Sequence, residues 1–291
     1  MKNSKQQVTV LGGSGYIGSH LSDLLTQKGF YVKIFDIKKS KYLKHNQKMY
    51  LGNLLQKKKL NESIKRSKYV FNFAALSNID IASDQPFKTA KINILGTINI
   101  LEACKKNKVK KLIHASSIYA NSEQGGFYGC SKKASEDYIE RFQQRYNTKF
   151  TILRFGSLYG GRSNNDNGLQ RLINSAKRKK KITYAGSRGS ERRYIHVKDA
   201  VNMCVKSMKK KFDNKYLTLT GKYKIRITSV IRLIQKQFKI KDKDINFQNI
   251  KNNIHYVNEP KDYIPRKGIN IAIGSRETFV HNLKNLILKK S

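Results

Sequence analysis

Three kinds of side chain in one stretch could carry acid/base chemistry. Ser116 and Ser117 follow the strand-like run KLIHA, and Tyr128 and Lys132 head the helical pattern YGCSKKASEDYIERF. Four apart on a helix, Tyr128 and Lys132 share a face. An ammonium beside a phenol favours the phenolate and lowers the phenol's pKa. The expectation is a tyrosine that exchanges a proton with a hydroxyl near neutral pH. A serine hydroxyl within reach would hold the same oxygen and steady a carbonyl forming there. A Tyr/Lys pair at this spacing is also an ordinary surface contact, so the reading depends on what surrounds it.

The run VTVLGGSGYIGSHL supplies the second chemical signal. A short strand ends at Leu11, glycines fall at Gly12, Gly15 and Gly18, and a helix begins near Tyr16 and Ile17. So tight a turn needs residues without Cβ, so that backbone approaches a pyrophosphate sitting on the helix N-terminus. Gly13 to Gly18 also satisfies G-x-G-x-x-G. Asp36 closes the next strand, YVKIFD, twenty-one residues after Gly15. A carboxylate there takes both ribose hydroxyls of NAD and repels a 2′-phosphate. The reading is dinucleotide binding with NAD as cofactor, although Lys38 and Lys39 leave NADP open.

These groups need a scaffold, and the chain patterns like one. Short β-rich runs at Val8–Leu11, Tyr31–Phe35, Tyr69–Phe73, Lys111–Ala115 and Phe150–Arg154 alternate with helical periodicities. Ile17, Leu21, Leu24 and Leu25 share one helical face; so do Ile94, Ile98 and Leu101, and so do Ala134, Tyr138 and Phe142. Strand–helix alternation predicts an α/β fold, a Rossmann-type doubly wound parallel sheet, with a smaller C-terminal substrate lobe. The expected division is residues 1–155 for the dinucleotide-binding domain and 156–291 mainly for the lobe, with about 194–220 returning to the first domain. A last amphipathic helix is expected over Thr278–Lys289.

Composition narrows the class. Apolar residues make 38% of the 291 and charged ones 27%, which excludes a wholly disordered chain. No apolar run approaches a membrane span, and the N-terminus lacks a signal-peptide core. The three cysteines, Cys104, Cys130 and Cys204, suggest neither a disulfide framework nor a zinc site, and fit a cytoplasmic location. Cys130, between Tyr128 and Lys132, is expected to pack as a small hydrophobe on the other helix face. His114 and His196 have no partners at ligand spacing, so no metal is assigned. Lys+Arg is 60 and Asp+Glu is 19, a net +41. The runs at Lys57–Lys59, Lys177–Lys181 and Lys209–Lys211 carry no interleaved aromatics, so the charge reads as a solvated surface with no specific nucleic-acid partner. Its field would attract a nucleotide diphosphate.

Taken in order, these motifs resemble the extended short-chain dehydrogenase/reductase superfamily, specifically its NAD-dependent epimerase/dehydratase family acting on nucleotide sugars. GGSGYIGSHL looks like the family's cofactor loop, with Tyr16 and Ile17 among its contacts. Gly52-Asn53-Leu54 resembles a Gly-Asp-Leu that meets adenine, with Asn in place of Asp. FNFAALSN, containing Ala74 and Ala75, resembles the strand and turn beneath the cofactor. Pro86 and Asn93 match its proline and the asparagine that caps the next helix. Tyr128 to Lys132 matches Tyr-x-x-x-Lys. LRFGSLYGGR and Arg192 with YIHVKDA resemble the substrate-lobe motifs, in which the arginine grips a substrate phosphate.

The departures shape the functional reading. In SSIYANS the gapless match makes Ser117 the catalytic hydroxyl, with Ser116 as the fallback, and puts Asn121 where tyrosine is usual. Ile118 and Tyr119 stand where sugar 4,6-dehydratases carry Asp-Glu, which argues against dehydration. Ser157 stands where a substrate-contacting asparagine is usual. The resemblance implies an epimerase acting by transient oxidation of a sugar hydroxyl, in surface polysaccharide precursor synthesis. It also implies a homodimer through the helices near Asn93–Asn107 and Ser131–Tyr146. A nucleotide-sugar reductase or dehydrogenase is the alternative within the fold; outside enzymes it is a dinucleotide-sensing or RNA-binding relative.

Overall fold

A computed structural model describes residues 5–248, 255 and 268–288. The first half runs β1 (Gln7–Leu11), α1 (Tyr16–Gln27), β2 (Tyr31–Asp36), β3 (Gln47–Leu51), α2 (Lys57–Ile64), β4 (Tyr69–Asn72), α3 (Ile79–Asp84), α4 (Pro86–Thr89), α5 (Gly96–Lys106), β5 (Lys111–Ser117), α6 (Gly126–Tyr146) and β6 (Phe150–Phe155). A π-helical turn, Ala90–Leu95, joins α4 to α5, and a 3-10 turn, Ile118–Asn121, follows β5. The second half runs β7 (Ser157–Tyr159), α7 (Gly168–Lys179), β8 (Ile182–Ala185), β9 (Glu191–Arg192), β10 (Tyr194–His196), α8 (Val197–Lys206), β11 (Lys215–Gly221), β12 (Ile225–Arg226), α9 (Ile227–Phe238), β13 (Ile245–Gln248), β14 (Gly268–Ile273) and α10 (Arg276–Leu288).

Eight strands make one parallel sheet in the order β14-β11-β6-β5-β4-β1-β2-β3. Parallel neighbours need crossover connections, so helices cover both faces and the central strands are buried throughout. Alternate residues of β5 feed two cores. Ile113 and Ala115 pack with Leu21 and Leu25 of α1; Leu112 packs with Ile100, Leu101 and Ile139 of α5 and α6. Burying one such leucine stabilises by ~1.5–3 kcal/mol. Strand order reverses at β1, between β4 and β2, which opens a crevice at the strands' carboxyl ends.

The five expected strands appear as β1, β2, β4, β5 and β6, to within two residues at each end. The edge strands β3 and β14 escaped the sequence reading because they are partly exposed and lack a continuous apolar run. The strand β11 also escaped it, though it sits beside β6 and carries the chain back into the large sheet. A separate core forms around α7, α9 and α10, including Leu172, Ile173, Ile231, Ile234 and Leu283. The last helix begins at Arg276 rather than Thr278, and its expected end, Lys289, lies outside the described residues.

Two expected helix faces need correction. In α6 the buried residues are Gly129, Ser131, Lys132, Ser135, Glu136 and Ile139, whereas Tyr138 is exposed and Ala134 and Phe142 are only partly covered. Cys130 is exposed as well and does not pack as a hydrophobe. This helix turns its polar stripe inward because β5 and the π-helical turn offer it polar partners. In the second helix, Leu101 is buried, but Ile94 and Ile98 are only partly so; Asn93, Thr97, Ile100 and Cys104 complete the buried stripe.

Candidate active site

The β1–α1 turn lies flush against the end of β4. Gly12 has φ +76°, and a Cβ on it would sit 2.6 Å from the Ala74 nitrogen; one on Gly18 would sit 2.1 Å from the Gly12 carbonyl oxygen. Gly15 is the exposed N-cap of α1, makes no side-chain cap, and is followed by a first turn without acidic residues. No side chain of the helix itself compensates the partial positive charge of that end, which suits a pyrophosphate site. Asp36 ends β2 beside this turn, its carboxylate accepting the Ser14 N–H at 3.0 Å and the Lys38 N–H at 3.3 Å. These features fit NAD.

The remaining candidates at this end are positioned mostly by backbone. Asn53 accepts the Leu55 N–H on its side-chain Oδ1 at 3.0 Å. The Leu54 side chain is buried under Gly96 of α5. Ala74 and Ala75 are half-buried past the end of β4, where the Ala74 N–H donates to Asn72 at 3.1 Å. The Tyr16 hydroxyl is buried without a hydrogen-bond partner among the described residues, and burial raises its pKa, with Tyr159 nearby adding to the rise. Ile17 packs partly into the core.

Asn93 does not cap a helix. It lies inside the π-helical turn, 3% exposed, and its amide is spent within the protein. Its oxygen accepts the Leu76 N–H at 2.8 Å, and its nitrogen donates to the Leu76 carbonyl and the Ser131 hydroxyl. Its carbonyl oxygen also accepts the Ser135 hydroxyl at 2.9 Å. The residue ties the segment after β4 to α6.

Ser117, Tyr128 and Lys132 come together at the carboxyl end of β5. Ser117 is buried, accepts the Tyr119 N–H at 3.3 Å, and lies close enough to Tyr128 to influence its phenol. The Ser116 hydroxyl points instead to the Glu136 carboxylate at 2.5 Å. Lys132 is 5% exposed, donates to the Ala115 carbonyl at 2.9 Å, and lies 5.7 Å from the centre of the Tyr128 ring. The expected lowering of the phenol by Lys132 is not what dominates here. Burial pushes Tyr128 up to about 12, and the nearby Ser117 hydroxyl works against it. Burial likewise brings Lys132 down to about 8, with the Glu136 carboxylate opposing. A desolvated ammonium holding a backbone carbonyl cannot by itself overcome the desolvation of the phenol.

His114, on the same side of β5, is a buried neutral imidazole. Its Nδ1 pairs with the Asn72 amide at 3.1 Å, and burial together with Lys132 holds its pKa well below the ordinary value.

Across the cleft, Arg192 lies on β9 and Ser157 opens β7. His255 is a residue that sequence reasoning passed over. Its ring reaches Tyr119 at 3.5 Å and Asp80 at 3.4 Å, and Arg192 and Arg171 help to lower its pKa behind the larger effect of burial. A single histidine in a polar run offers no periodicity or spacing that would have flagged it. The 3-10 turn after β5 and the candidate phosphate-binding arginine thus approach a common histidine.

The sequence profile of the NAD dependent epimerase/dehydratase family matches residues 8–217. The chain is similar to a dTDP-D-glucose 4,6-dehydratase of Dictyostelium discoideum, 28% identical over 234 residues that cover 68% of this chain and 54% of the relative. It is similar to a putative UDP-glucose 4-epimerase of Methanocaldococcus jannaschii, 32% identical over 173 residues, or 53% of this chain and 57% of that protein. The chain thus spans little more than half the length of these two relatives. Among solved structures, the UDP-glucuronic acid 4-epimerase of Bacillus cereus, in complex with UDP-glucuronic acid and NAD, superposes with a TM-score of 0.80 at 20% identity, covering 97% of this chain and 98% of that one. At that identity the likeness speaks for the fold. Among the described residues, no helix is long and apolar enough to cross a membrane.

Proposed function

Since the chain belongs to the NAD dependent epimerase/dehydratase family of enzymes, we propose that it is an NAD-dependent nucleotide-sugar epimerase working by transient oxidation of a sugar hydroxyl. The observation that carries this reading is the gathering of Ser117, Tyr128 and Lys132 at the carboxyl end of β5, with the Lys132 ammonium 5.7 Å from the centre of the Tyr128 ring and donating to the Ala115 carbonyl. NAD, when bound, takes up a hydride and returns it. The Tyr128 oxygen takes the proton of the sugar hydroxyl as its carbon is oxidised, and gives a proton back on reduction. Ser117 holds the reacting oxygen, and Lys132 supplies the positive charge that a phenolate requires. Gly12, Gly15, Tyr16, Ile17, Gly18, Asp36, Asn53, Leu54, Ala74, Ala75 and Asn93 are assigned to the cofactor end; Ser157 and Arg192 are assigned to the substrate. Ile118 and Tyr119, standing where a dehydratase would carry carboxylates, speak against elimination of water.

In this reading residues 1–155 hold NAD, and 156–291 mainly shape the substrate lobe, with the segment near 194–220 serving the first domain. The substrate is a nucleotide sugar, drawn by the +41 charge, and the setting is cytoplasmic synthesis of surface polysaccharide precursors. A homodimer through the outer faces of α5 and α6 would cover the exposed Leu95, Phe127, Tyr138 and Tyr146.

The test is to denature purified protein and identify released small molecules by mass, then to incubate native protein with UDP-glucose, UDP-N-acetylglucosamine and UDP-glucuronic acid. Released NAD and interconversion of one sugar without consumption of added cofactor are expected. Stoichiometric reduction of added NAD with an oxidised sugar as product would replace the epimerase reading by a dehydrogenase.

A further inference from the structure

Beneath the catalytic residues lies an ion pair with almost no access to solvent. Glu136 on α6 is 1% exposed and Arg154 on β6 is 6% exposed at the side chain. The pairing is bidentate: the Arg154 Nε donates to Glu136 Oε1 at 2.9 Å, and Nη2 donates to Oε2. The guanidinium face rests 4.6 Å from the centre of the Tyr216 ring, whose hydroxyl donates to Glu140 at 3.3 Å. Two more groups complete the set. The Ser116 hydroxyl donates to Glu136 Oε1 at 2.5 Å. In the orientation that satisfies its amide, Asn121 accepts from Arg154 Nη1 at 2.7 Å and donates to the Ala120 carbonyl at 3.2 Å.

These contacts enclose the catalytic turn. Ser116 precedes Ser117 and Asn121 ends the 3-10 turn after it, so both ends of the segment are tied to one ion pair. The carboxylate of that pair belongs to the catalytic helix, one turn beyond Lys132. We infer that Glu136, Arg154 and Asn121 are positioning residues for the reaction: they lock the Ser117 turn to the helix bearing Tyr128 and Lys132, and they hold a buried carboxylate one helical turn from Lys132. A buried ion pair is weak evidence for stability, because desolvation offsets its attraction. Its use here is geometric and electrostatic. The groups around Lys132 are His114 from β5, Tyr128 and Glu136 from its own helix, and Arg154 from β6 through Glu136. Among them Glu136 is the group whose charge favours the ammonium, and it opposes the effect of burial.

The inference rests on the reading of Lys132 as the cation beside the catalytic tyrosine, but its test needs no substrate and so fails separately from that reading. The Lys132 titration is followed by ¹³Cε lysine NMR, assigned by its loss in Lys132→Arg. A signal titrating near 8 would stand apart from surface lysines near ~10.4. In Glu136→Gln the proton affinity of Lys132 should fall about tenfold or more. The double variant Glu136→Gln/Arg154→Met leaves no guanidinium buried and unpaired, and because it removes charges of both signs its fall should be smaller than that in Glu136→Gln. In Asn121→Ala, amide exchange in the peptide spanning residues 116–122 should quicken about tenfold or more, the loss of one charge-assisted hydrogen bond, while α1 is unchanged. An unmoved Lys132 midpoint in folded Glu136→Gln, or unmoved exchange in Asn121→Ala, overturns the inference.

Discussion

The helices α1 and α6 flank the same parallel sheet and differ in what they bury. The only polar side chains α1 adds to its leucines are Ser19 and Ser22, bonded within their own helix, whereas α6 buries a mainly polar stripe with Ile139. Helix α1 buries Leu21 and Leu25 in an apolar core at 0% exposure. Helix α6 buries Ser131, Lys132, Ser135 and Glu136 and leaves Tyr138 and Cys130 outside. Both begin at a glycine N-cap, at residues 15 and 125. Helix α1 therefore rests on area removed from water, which is non-directional. Helix α6 rests on hydrogen bonds to the Ala115 carbonyl, Asn93, Ser116 and Arg154, each of which demands one geometry. The first arrangement makes a stable platform for the β1–α1 turn. The second fixes Tyr128 and Lys132 in one geometry, since every buried polar atom left unmatched costs free energy.

Substitutions should separate the two roles. The largest effect is expected at Tyr128→Phe, which keeps the ring on α6 and removes its acid/base group. Turnover should fall by ~10²–10⁴ with the melting temperature nearly unchanged. Near-full turnover on the true substrate would mean that α6 does not carry the chemistry. Leu21→Ala is the mirror experiment on α1. It should cost about 2–5 kcal/mol in urea unfolding, by lost transfer energy and the cavity left behind. With saturating cofactor, its turnover per folded molecule should stay close to that of the unaltered protein. A loss below about 1 kcal/mol would show that the α1 core collapses onto the gap.

A smaller effect sharpens the comparison through pH. Burial holds the Lys132 ammonium down to about 8 in the folded chain. Between that value and the unfolded value near ~10.4, the unfolded chain keeps the proton that the folded chain has released. Stability then rises with pH across this window, because the unfolded state binds more protons. Lys33 and Lys111 are lowered in the same direction by burial and contribute with the same sign. The difference between Lys132→Met and the unaltered protein is therefore the quantity to read. Urea unfolding at about pH 7.5 and about pH 9.5 should show a shallower rise in the variant. Equal slopes would mean that Lys132 titrates as an ordinary exposed lysine.

Much of this molecule was determined locally and is legible in the chain itself. Short β-rich runs bounded by glycine or polar residues specify β1, β2, β4, β5 and β6, because strands buried on both faces need no strict alternation. Gly12 and Gly18 are readable because a Cβ at either would collide with backbone. The spacing of Tyr128 and Lys132 is readable because a helix brings residues four apart onto one face. What the tertiary structure alone decided involves partners distant in sequence. The edge strands β3 and β14 take their place from neighbours rather than from an apolar pattern. Which face of α6 turns inward depends on Asn93, Ser116 and Arg154, none of which lies on that helix. The proton affinity of Tyr128 follows from burial, which packing sets, more than from the lysine that sequence places beside it. Periodicity records where apolar side chains want to be; a buried polar face exists only where the rest of the fold supplies its partners.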